Sequence, residues 1–591
     1  MLSLIRPAAV EAFRFATTSI TAPLGIAYVA AAVEATGRRV SVIDAVGEGP
    51  KVRTAYYQGY LVGLRPPQIV ARVPAEASLL GISVVFTHEW PAVVQLIDAL
   101  KATRPDLPVV IGGEHVTAMP EFCLMTSRAD YVVLGEGEET IIELLERLES
   151  GRTPDDIAGL GYRDDHVATD GVGAANRSAA AVVICPRRER RQGVDDIRPP
   201  AWHHIDLATY YRHRFVGGMY TNSITVPILA TRGCPYQCTY CSAPNMWLPR
   251  WIPRDPVAVV DEIEHHVERH GARNFPFQDL TAIIRKDWIS KFCRELIARK
   301  LDITWQLPTG TRSEAIDDEV AVLLKRSGMV SMAYAPESGS ETTRKFIKKK
   351  MKTERLFTSI ESAVKAELNV AAFIVIGFPH DRPEHLAENL EFIDRLVAAG
   401  VTDLSVGFYM ALPGTELFHS LYDCGRIRLD RAYFRHILDS LSLWPSQSYC
   451  AQLSRMELFR WKLKYFLCFY GAKRRRAGPG LIASITRAVH GMISTGGHDS
   501  KLQTAFRNGV STLWHTVRAK FGPRWMSRAE EMTLFSGWDD IYRAARASKI
   551  DAGIVAAAPA DTALLHKNNV VTLLAADHGA RKSFAMPPAA E

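Results

Sequence analysis

No run of about 20 uninterrupted apolar residues occurs in the chain, so no membrane-spanning helix is expected. The opening Met1-Leu2-Ser3-Leu4-Ile5-Arg6-Pro7 is too short and too broken for a secretory leader. No internal repeat is found. Cysteine is sparse and odd in number, nine in 591 residues, scattered except for one triplet. That pattern argues against a disulfide framework and fits free thiols and a metal site in a reducing cytosol. An excess of one sign of charge is also lacking, with 71 Lys and Arg against 64 Asp and Glu. The net charge of +7 favours acidic partners such as phosphates or anionic lipid only weakly. The basic run Arg187–Gln192 (RRERRQ) has no interleaved aromatics and no binding motif, so no specific nucleic-acid partner is indicated and the run reads as an exposed linker.

What is present is ordinary globular material, 47% hydrophobic and 23% charged, long enough for three or four domains. The most informative feature is CxxxCxxC, formed by Cys234, Cys238 and Cys241. Three closely spaced thiolates suit a four-iron four-sulfur cluster, which takes one cysteine per iron. With three supplied, one iron is left open to bind a substrate or cofactor, as an open position does in other catalytic metal sites. A buried helical stripe would use the same i, i+4, i+7 spacing, but Gly233 and Pro235 oppose a helix there. A zinc site would ask for a second ligand pair, and no second CxxC follows.

Over residues 1–150, short apolar runs at Leu2–Arg6, Val40–Ala45, Leu80–Phe86, Pro108–Ile111 and Tyr131–Leu134 alternate with helical stretches at 23–36, 90–103 and 138–149. Alternation of this kind implies a parallel sheet covered by helices on both faces, with ligands bound beyond the carboxyl ends of the strands. Those ends carry Ser83, Thr87 and His88, then Gly112-Gly113-Glu114-His115, then Gly135-Glu136-Gly137. Glycine there permits close approach of backbone to a bulky ligand. Residues 151–222 read as a bridge, with a small hairpin at Asp155–Arg163. Residues 223–425 repeat a strand–helix pattern whose strand ends carry Gln278-Asp279, Glu337-Ser338 and Gly377. Such units close into a full or partial barrel with its site at the carboxyl ends. Met456–Tyr470 is basic and aromatic, and Lys473–Arg476 follows. It reads as a helix packed over the barrel mouth, or as one lying on an anionic membrane surface, with packing preferred. Residues 477–550 read helical and basic, and the chain beyond about 551 as a flexible tail.

The cysteine loop, with the aromatic Tyr240 before the third cysteine, resembles the signature of the radical SAM enzymes. The order PLGIAYVAAAVEATGRRVSVIDA, LGISVVF, VVIGGEH, YVVLGEGEET resembles the cobalamin-binding domain found ahead of many radical SAM domains. The fold this implies is α/β, a flavodoxin-like or Rossmann-like cobalamin domain, then a TIM-like partial or full (βα) barrel, then a mostly helical C-terminal region (426–550). The implied cofactors are a 4Fe-4S cluster on Cys234, Cys238 and Cys241, S-adenosylmethionine (SAM) near Tyr240, Asp279, Glu337, Ser338 and Gly377, and cobalamin near Ser83, Thr87, His88, Gly112, Gly113, Glu114, His115, Gly135, Glu136 and Gly137. Only Asp279 matches where many relatives carry two acidic residues. Glu337 and Asp279 have an alternative reading as helix caps. The Asp-x-His-x-x-Gly cobalt-binding motif is missing. Asp164-Asp165-His166 is followed by Thr169 where glycine is required, and it reads as lying outside the sheet. His88 and His115 are candidate cobalt ligands or ordinary hydrogen-bonding histidines.

The resemblance implies reductive SAM cleavage to a 5′-deoxyadenosyl radical, hydrogen abstraction, and C-methylation of an unactivated carbon of a small-molecule or lipid-like substrate. The alternatives are oxidative cyclisation or rearrangement, as in the related anaerobic porphyrin-ester cyclases, and a non-catalytic sensor. The expected partners are that substrate and an electron donor such as flavodoxin or ferredoxin. The expected location is cytoplasmic, with peripheral contact at the inner membrane surface if 456–476 meets lipid.

Overall fold

The computed structural model describes residues 1–12, 20–57, 59–164, 181–312, 314–440, 445–477 and 523–551. Five parallel strands form the first sheet, in the order Val40–Asp44, Leu2–Arg6, Leu79–Ser83, Val109–Gly112 and Tyr131–Val133. Side chains alternate between its two faces. Leu2 and Leu4 pack with Ile26, Ile141 and Leu144 of the helices Leu24–Glu34 and Glu138–Glu149. Ile5, Leu80 and Ile82 pack instead with Val93 and Ile97 of Trp90–Thr103. Both faces are covered, which is why these strands read as continuous apolar runs.

Two features depart from the sequence reading. Asp155–Arg163 is not a self-contained hairpin. Leu160–Asp164 pairs antiparallel with Tyr131–Val133 and with Ala181–Ile184, extending the sheet to seven strands. Asp164 is thus a sheet residue, while His166 lies outside the described residues. A separate antiparallel sheet of Ala9–Ala12, Arg53–Tyr56 and Gly59–Val62 was not anticipated.

The second sheet holds Asn274–Pro276, Thr304–Thr311, Met329–Glu337, Asn369–Ile376 and Asp403–Phe408, all parallel and in chain order. Parallel bridges from Thr225 to Asn274 and from Ile228 to Phe277 set residues 225–230 beside the first of them. Helices return the chain between strands. Pro256–His270 is started by Asp255 accepting from Val257 N and ended by left-handed Gly271. The result is an open partial barrel.

Arg455–Ala477 runs along the barrel's outer edge rather than over its mouth. Leu458, Tyr465, Phe469 and Ala472 are buried in the barrel core, and the Tyr465 hydroxyl donates to Leu386 O. Lys473 Nζ reaches Thr402 O. The helix therefore covers the last strand, whose open edge would otherwise pair with another chain. Its outer face still exposes Met456, Leu463, Leu467 and Tyr470. Among the described residues no helix is long and apolar enough to cross a membrane.

Past residue 522 the chain returns to the N-terminal half. Trp525 N donates to Ala55 O, and Trp538 packs edge-on against Phe122. This returning segment forms the helices Arg528–Leu534 and Trp538–Asp551. Most of the expected helical stretch 477–550, and the tail beyond 551, lie outside the described residues.

Candidate functional site

The chain enters the cysteine loop from Thr231–Arg232, paired antiparallel with Ile252–Pro253. Gly233 follows at φ +90°, a conformation glycine reaches without strain. Asp279 fixes this entry. Its carboxylate accepts from Ala230 N at 3.1 Å, from Thr231 N, and from Thr231 Oγ1 at 2.6 Å. Burial pushes Asp279 up to about 6, although those donors oppose the shift. Both carboxylate oxygens face the strand that leads to the cysteines, so Asp279 is neither a helix cap nor free toward a ligand.

Cys234, Cys238 and Cys241 are free and half-buried. Burial pushes all three thiols up, Cys241 to about 12. Thiolates in this setting need cationic compensation, which a metal cluster provides. Three thiolates in one loop suit a four-iron four-sulfur cluster, which takes one cysteine per iron.

Behind the loop, the Tyr240 hydroxyl donates to Glu337 Oε1 at 2.7 Å, and Lys349 Nζ donates to the same atom at 3.0 Å. Glu337 ends its strand in the left-handed region at φ +64°. The next helix is preceded by Ser340, not Glu337, so the capping alternative for Glu337 fails. Ser338 is buried, donates to Asn389 Oδ1 and accepts from Ser340 N. Its hydroxyl serves the turn and is not free for a ligand. Gly377 adopts φ +93° and donates to Asp381 Oδ2 at 2.9 Å. The adjacent Phe378 ring meets Tyr240 edge-on at 5.5 Å. Tyr240, Glu337 and Gly377 thus gather beside the cysteines.

A cavity of about 390 Å³ opens over the strand ends of the first sheet. Ser83, Gly112, Gly113, Glu114, Gly135, Glu136 and Gly137 line it as expected. Thr87, His88 and His115 do not. Thr87 and His88 sit in a buried turn and His115 on the helix Glu114–Ala118, where its Nδ1 lies 3.2 Å from Thr87 Oγ1 and its ring packs on Trp90. Burial takes His115 down to about 3. The cavity continues as an apolar slot between the sheet and its helices, past Leu4, Ile26, Val110 and Ile141. Gly113, at φ +120°, lies so near Val84 O that a Cβ would stand 2.5 Å from it. A mostly apolar slot with few polar groups and a glycine-lined mouth suits a large planar cofactor with an apolar tail.

The sequence reading missed the opposite wall, built from Tyr28 and from Leu229, Arg232, Met246, Trp247 and Gln278 of the cysteine-bearing half. It also misread 187–192 as an exposed linker. Arg187 Nη2 donates to Met246 O at 2.6 Å. Arg190 pairs with Glu136 at 3.2 Å and donates to Trp247 O at 2.6 Å. Arg188 pairs with Glu143 at 2.8 Å. This segment is a strap across the rim of the cavity. The charges on 136–143 that it pairs with were visible in the sequence, but only the fold brings them opposite.

Known proteins agree with this layout. Residues 14–145 match the B12 binding domain family and residues 228–393 the radical SAM superfamily. The chain is 28% identical over 481 residues to cytidylyl-2-hydroxyethylphosphonate methyltransferase of Streptomyces wedmorensis, covering 75% of this chain and 86% of that protein. It is 26% identical over 401 residues to the anaerobic magnesium-protoporphyrin IX monomethyl ester cyclase of Rubrivivax gelatinosus, covering 64% and 68%. Its fold is similar to that of the radical SAM methyltransferase TsrM from Kitasatospora setae, with TM-score 0.55, 18% identity and coverage of 73% and 79%. It is also similar to that of the cobalamin-dependent radical enzyme OxsB, with TM-score 0.60, 14% identity and coverage of 94% and 82%.

Proposed function

From the premise that this chain belongs to the radical SAM enzymes that carry a B12-binding domain, we propose that it methylates an unactivated carbon of a small-molecule substrate. Its cofactors are cobalamin, SAM and a 4Fe-4S cluster. When bound, the cluster and SAM supply a one-electron cleavage that yields a hydrogen-abstracting carbon radical, and the corrinoid supplies a methyl group.

The chain's own residues hold and orient. Cys234, Cys238 and Cys241 hold the cluster, and Asp279 fixes the strand that presents them. Glu337 offers a carboxylate acceptor to the donor groups of SAM, held in place by Tyr240 and Lys349. The glycine-lined strand ends and the apolar slot hold the corrinoid. The 187–191 strap closes the rim and excludes water from the space between the two halves. One observation carries this reading. A single cavity has one wall from the strand ends of the first sheet and the other from residues flanking the cysteine loop, so both cofactor sites adjoin one space.

The methyltransferase relative covers more of this chain, at higher identity, than the cyclase relative does. That favours methyl transfer over ring formation. The reading includes a cytoplasmic enzyme reduced by a flavodoxin- or ferredoxin-type donor.

The test is anaerobic reconstitution with iron, sulfide and hydroxocobalamin, then mass spectrometry after addition of reductant and labelled SAM. 5′-Deoxyadenosine together with labelled methyl on the corrinoid, both lost in Cys234→Ala/Cys238→Ala/Cys241→Ala, is the expected outcome. 5′-Deoxyadenosine with no methyl uptake would transfer the assignment to a cyclase-like reaction.

A further inference from the structure

Outside the cofactor cavity, three metal-ligating side chains converge at one point on the surface. Glu34 is the last residue of the helix Leu24–Glu34, and His203 and His204 close the short turn Trp202–His204. Both histidines aim the same ring nitrogen at the same oxygen. His203 Nε2 lies 3.1 Å and His204 Nε2 2.7 Å from Glu34 Oε1. The three ligand atoms all fall within 4.8 Å of one another.

We propose that Glu34, His203 and His204 form a binding site for a zinc-class divalent cation, separate from the iron and cobalt chemistry of the protein. Two imidazoles and one carboxylate are the ligand types that late first-row ions select, whereas magnesium and calcium prefer all-oxygen sets. A tetrahedral ion with bonds of about 2.0–2.1 Å places its ligands roughly 3.3 Å apart. The observed His–Glu separations need about 0.2 Å and about 0.6 Å of expansion to reach that value. His203 is exposed and the other two ligands are half-buried, which leaves the fourth position open to water.

The location gives the ion a purpose. Ala201 N already donates to Ala27 O at 2.9 Å, and Trp202 is buried next to it, so the bridge is docked on this helix immediately before the histidines. The same helix supplies Leu24, Gly25 and Tyr28 to the cofactor cavity about two turns away. The ion staples the bridge between the sheet and the barrel to the helix that lines the cavity. A second cluster, His380, Asp381 and His385, lacks this freedom. Its Asp381 carboxylate is already taken by Gly377 N, Phe378 N and Thr343 Oγ1.

The test uses the full chain with its iron–sulfur cluster in place, so that the cysteines do not compete for zinc. Zinc is titrated in a chelator-buffered solution, and bound zinc and iron are counted by mass spectrometry. One zinc per chain at micromolar free zinc or below is expected, with a higher melting temperature in its presence. His203→Ala/His204→Ala should lose that zinc and the thermal gain, with iron content unchanged. Glu34→Gln should weaken zinc binding at least about tenfold. Equal zinc in wild type and double variant, or none bound at about 100 µM free zinc, where a site weaker than millimolar would stay empty, overturns the proposal. The side chains are partly or fully exposed, and the Glu34→Gln variant serves if the double variant does not fold.

Discussion

Arg232 Nη2 donates to Glu138 Oε1 at 2.6 Å, across the boundary between the cysteine-bearing barrel and the first sheet. Arg232 stands two residues before Cys234, and Glu138 begins the helix that follows the last glycine-lined strand end. Arg232 Nη1 meets Glu136 at 2.8 Å, and its guanidinium lies over the rings of Tyr28 and Trp247. One side chain therefore sets the spacing between the segment that carries the cluster and the segment that lines the cavity. Its bidentate reach suits arginine and not lysine.

Removing that guanidinium takes the partner from the nearly buried Glu138 carboxylate and leaves Glu136 with Arg190 alone. Arg232→Met should cost about 3–5 kcal/mol, the usual penalty for breaking a buried pair from one side. The cost should depend on pH. Burial pushes Glu138 up, but the charge and hydrogen bond of Arg232 outweigh burial and hold the carboxyl below its ordinary range. A depressed folded-state value stabilises the protein above the unfolded value of Glu138 and is lost as pH falls through the folded one. Urea unfolding should show the gap between wild type and Arg232→Met narrowing as pH falls below the unfolded value of Glu138, near 4.5. A gap that does not change with pH would remove the electrostatic account.

Glu114 runs the other way. It lines the cavity, its Oε1 is buried without a hydrogen-bond partner, and burial raises the carboxyl to about 7. A raised folded-state value means that stability is full below the unfolded value, near 4.5, and falls as pH rises to about 7. Glu114→Gln should match wild type near pH 4 and become more stable above it. The gain should level off beyond pH 8, at no more than about 3 kcal/mol. Melting temperatures across pH 4.5–8.5 check this, and a constant difference would refute it.

The sequence was legible where periodicity and local chemistry decide the outcome. The strands Leu2–Arg6 and Asn369–Ile376 fall where apolar runs stood, because burial on both faces demands such runs. The cysteine loop was legible because its ligands lie within eight residues of one another. What stayed hidden depends on contacts distant in sequence. Ala9–Ala12, Arg53–Tyr56 and Gly59–Val62 are four-residue strands that only find one another after folding. Arg187 and Arg190 look like solvated charge until the fold sets Glu136 and the carbonyls of Met246 and Trp247 before them. His115 stood as a candidate ligand or an ordinary hydrogen-bonding histidine, and only the fold shows its side chain turned into the core beside Trp90, with Nδ1 near Thr87 Oγ1.

Gly233 should prove irreplaceable for cluster assembly. At its positive φ, a Cβ would overlap the Arg250 carbonyl oxygen and press on the Arg190 guanidinium. Neither is the free end of a flexible chain, since that guanidinium is held by Glu136 and by Trp247 O. Gly233→Ala should lose most of its iron after reconstitution and keep the N-terminal sheet folded, read as unchanged far-ultraviolet dichroism. Full iron incorporation in Gly233→Ala would show that the loop has slack the geometry does not suggest.

Glu337 and Tyr240 allow a ligand role to be separated from a merely structural one. Glu337 Oε1 is shared by the Tyr240 hydroxyl and Lys349 Nζ. Tyr240→Phe leaves Lys349 in place to orient the carboxylate, so SAM affinity should fall only about threefold, the worth of one ordinary hydrogen bond. Glu337→Gln removes the charge that a cationic or hydroxyl donor of SAM would meet. It should weaken SAM binding by roughly tenfold or more, as expected for hydrogen bonds to a charged group. Neither substitution touches a cysteine, so iron content should hold in both. Equilibrium binding of SAM to reconstituted protein, measured beside melting temperature, separates the two roles. If Glu337 serves only to tie Tyr240 to Lys349, both variants lose thermal stability together and bind SAM as wild type does. If Glu337 faces SAM, Glu337→Gln loses affinity well beyond what its change in melting temperature accounts for.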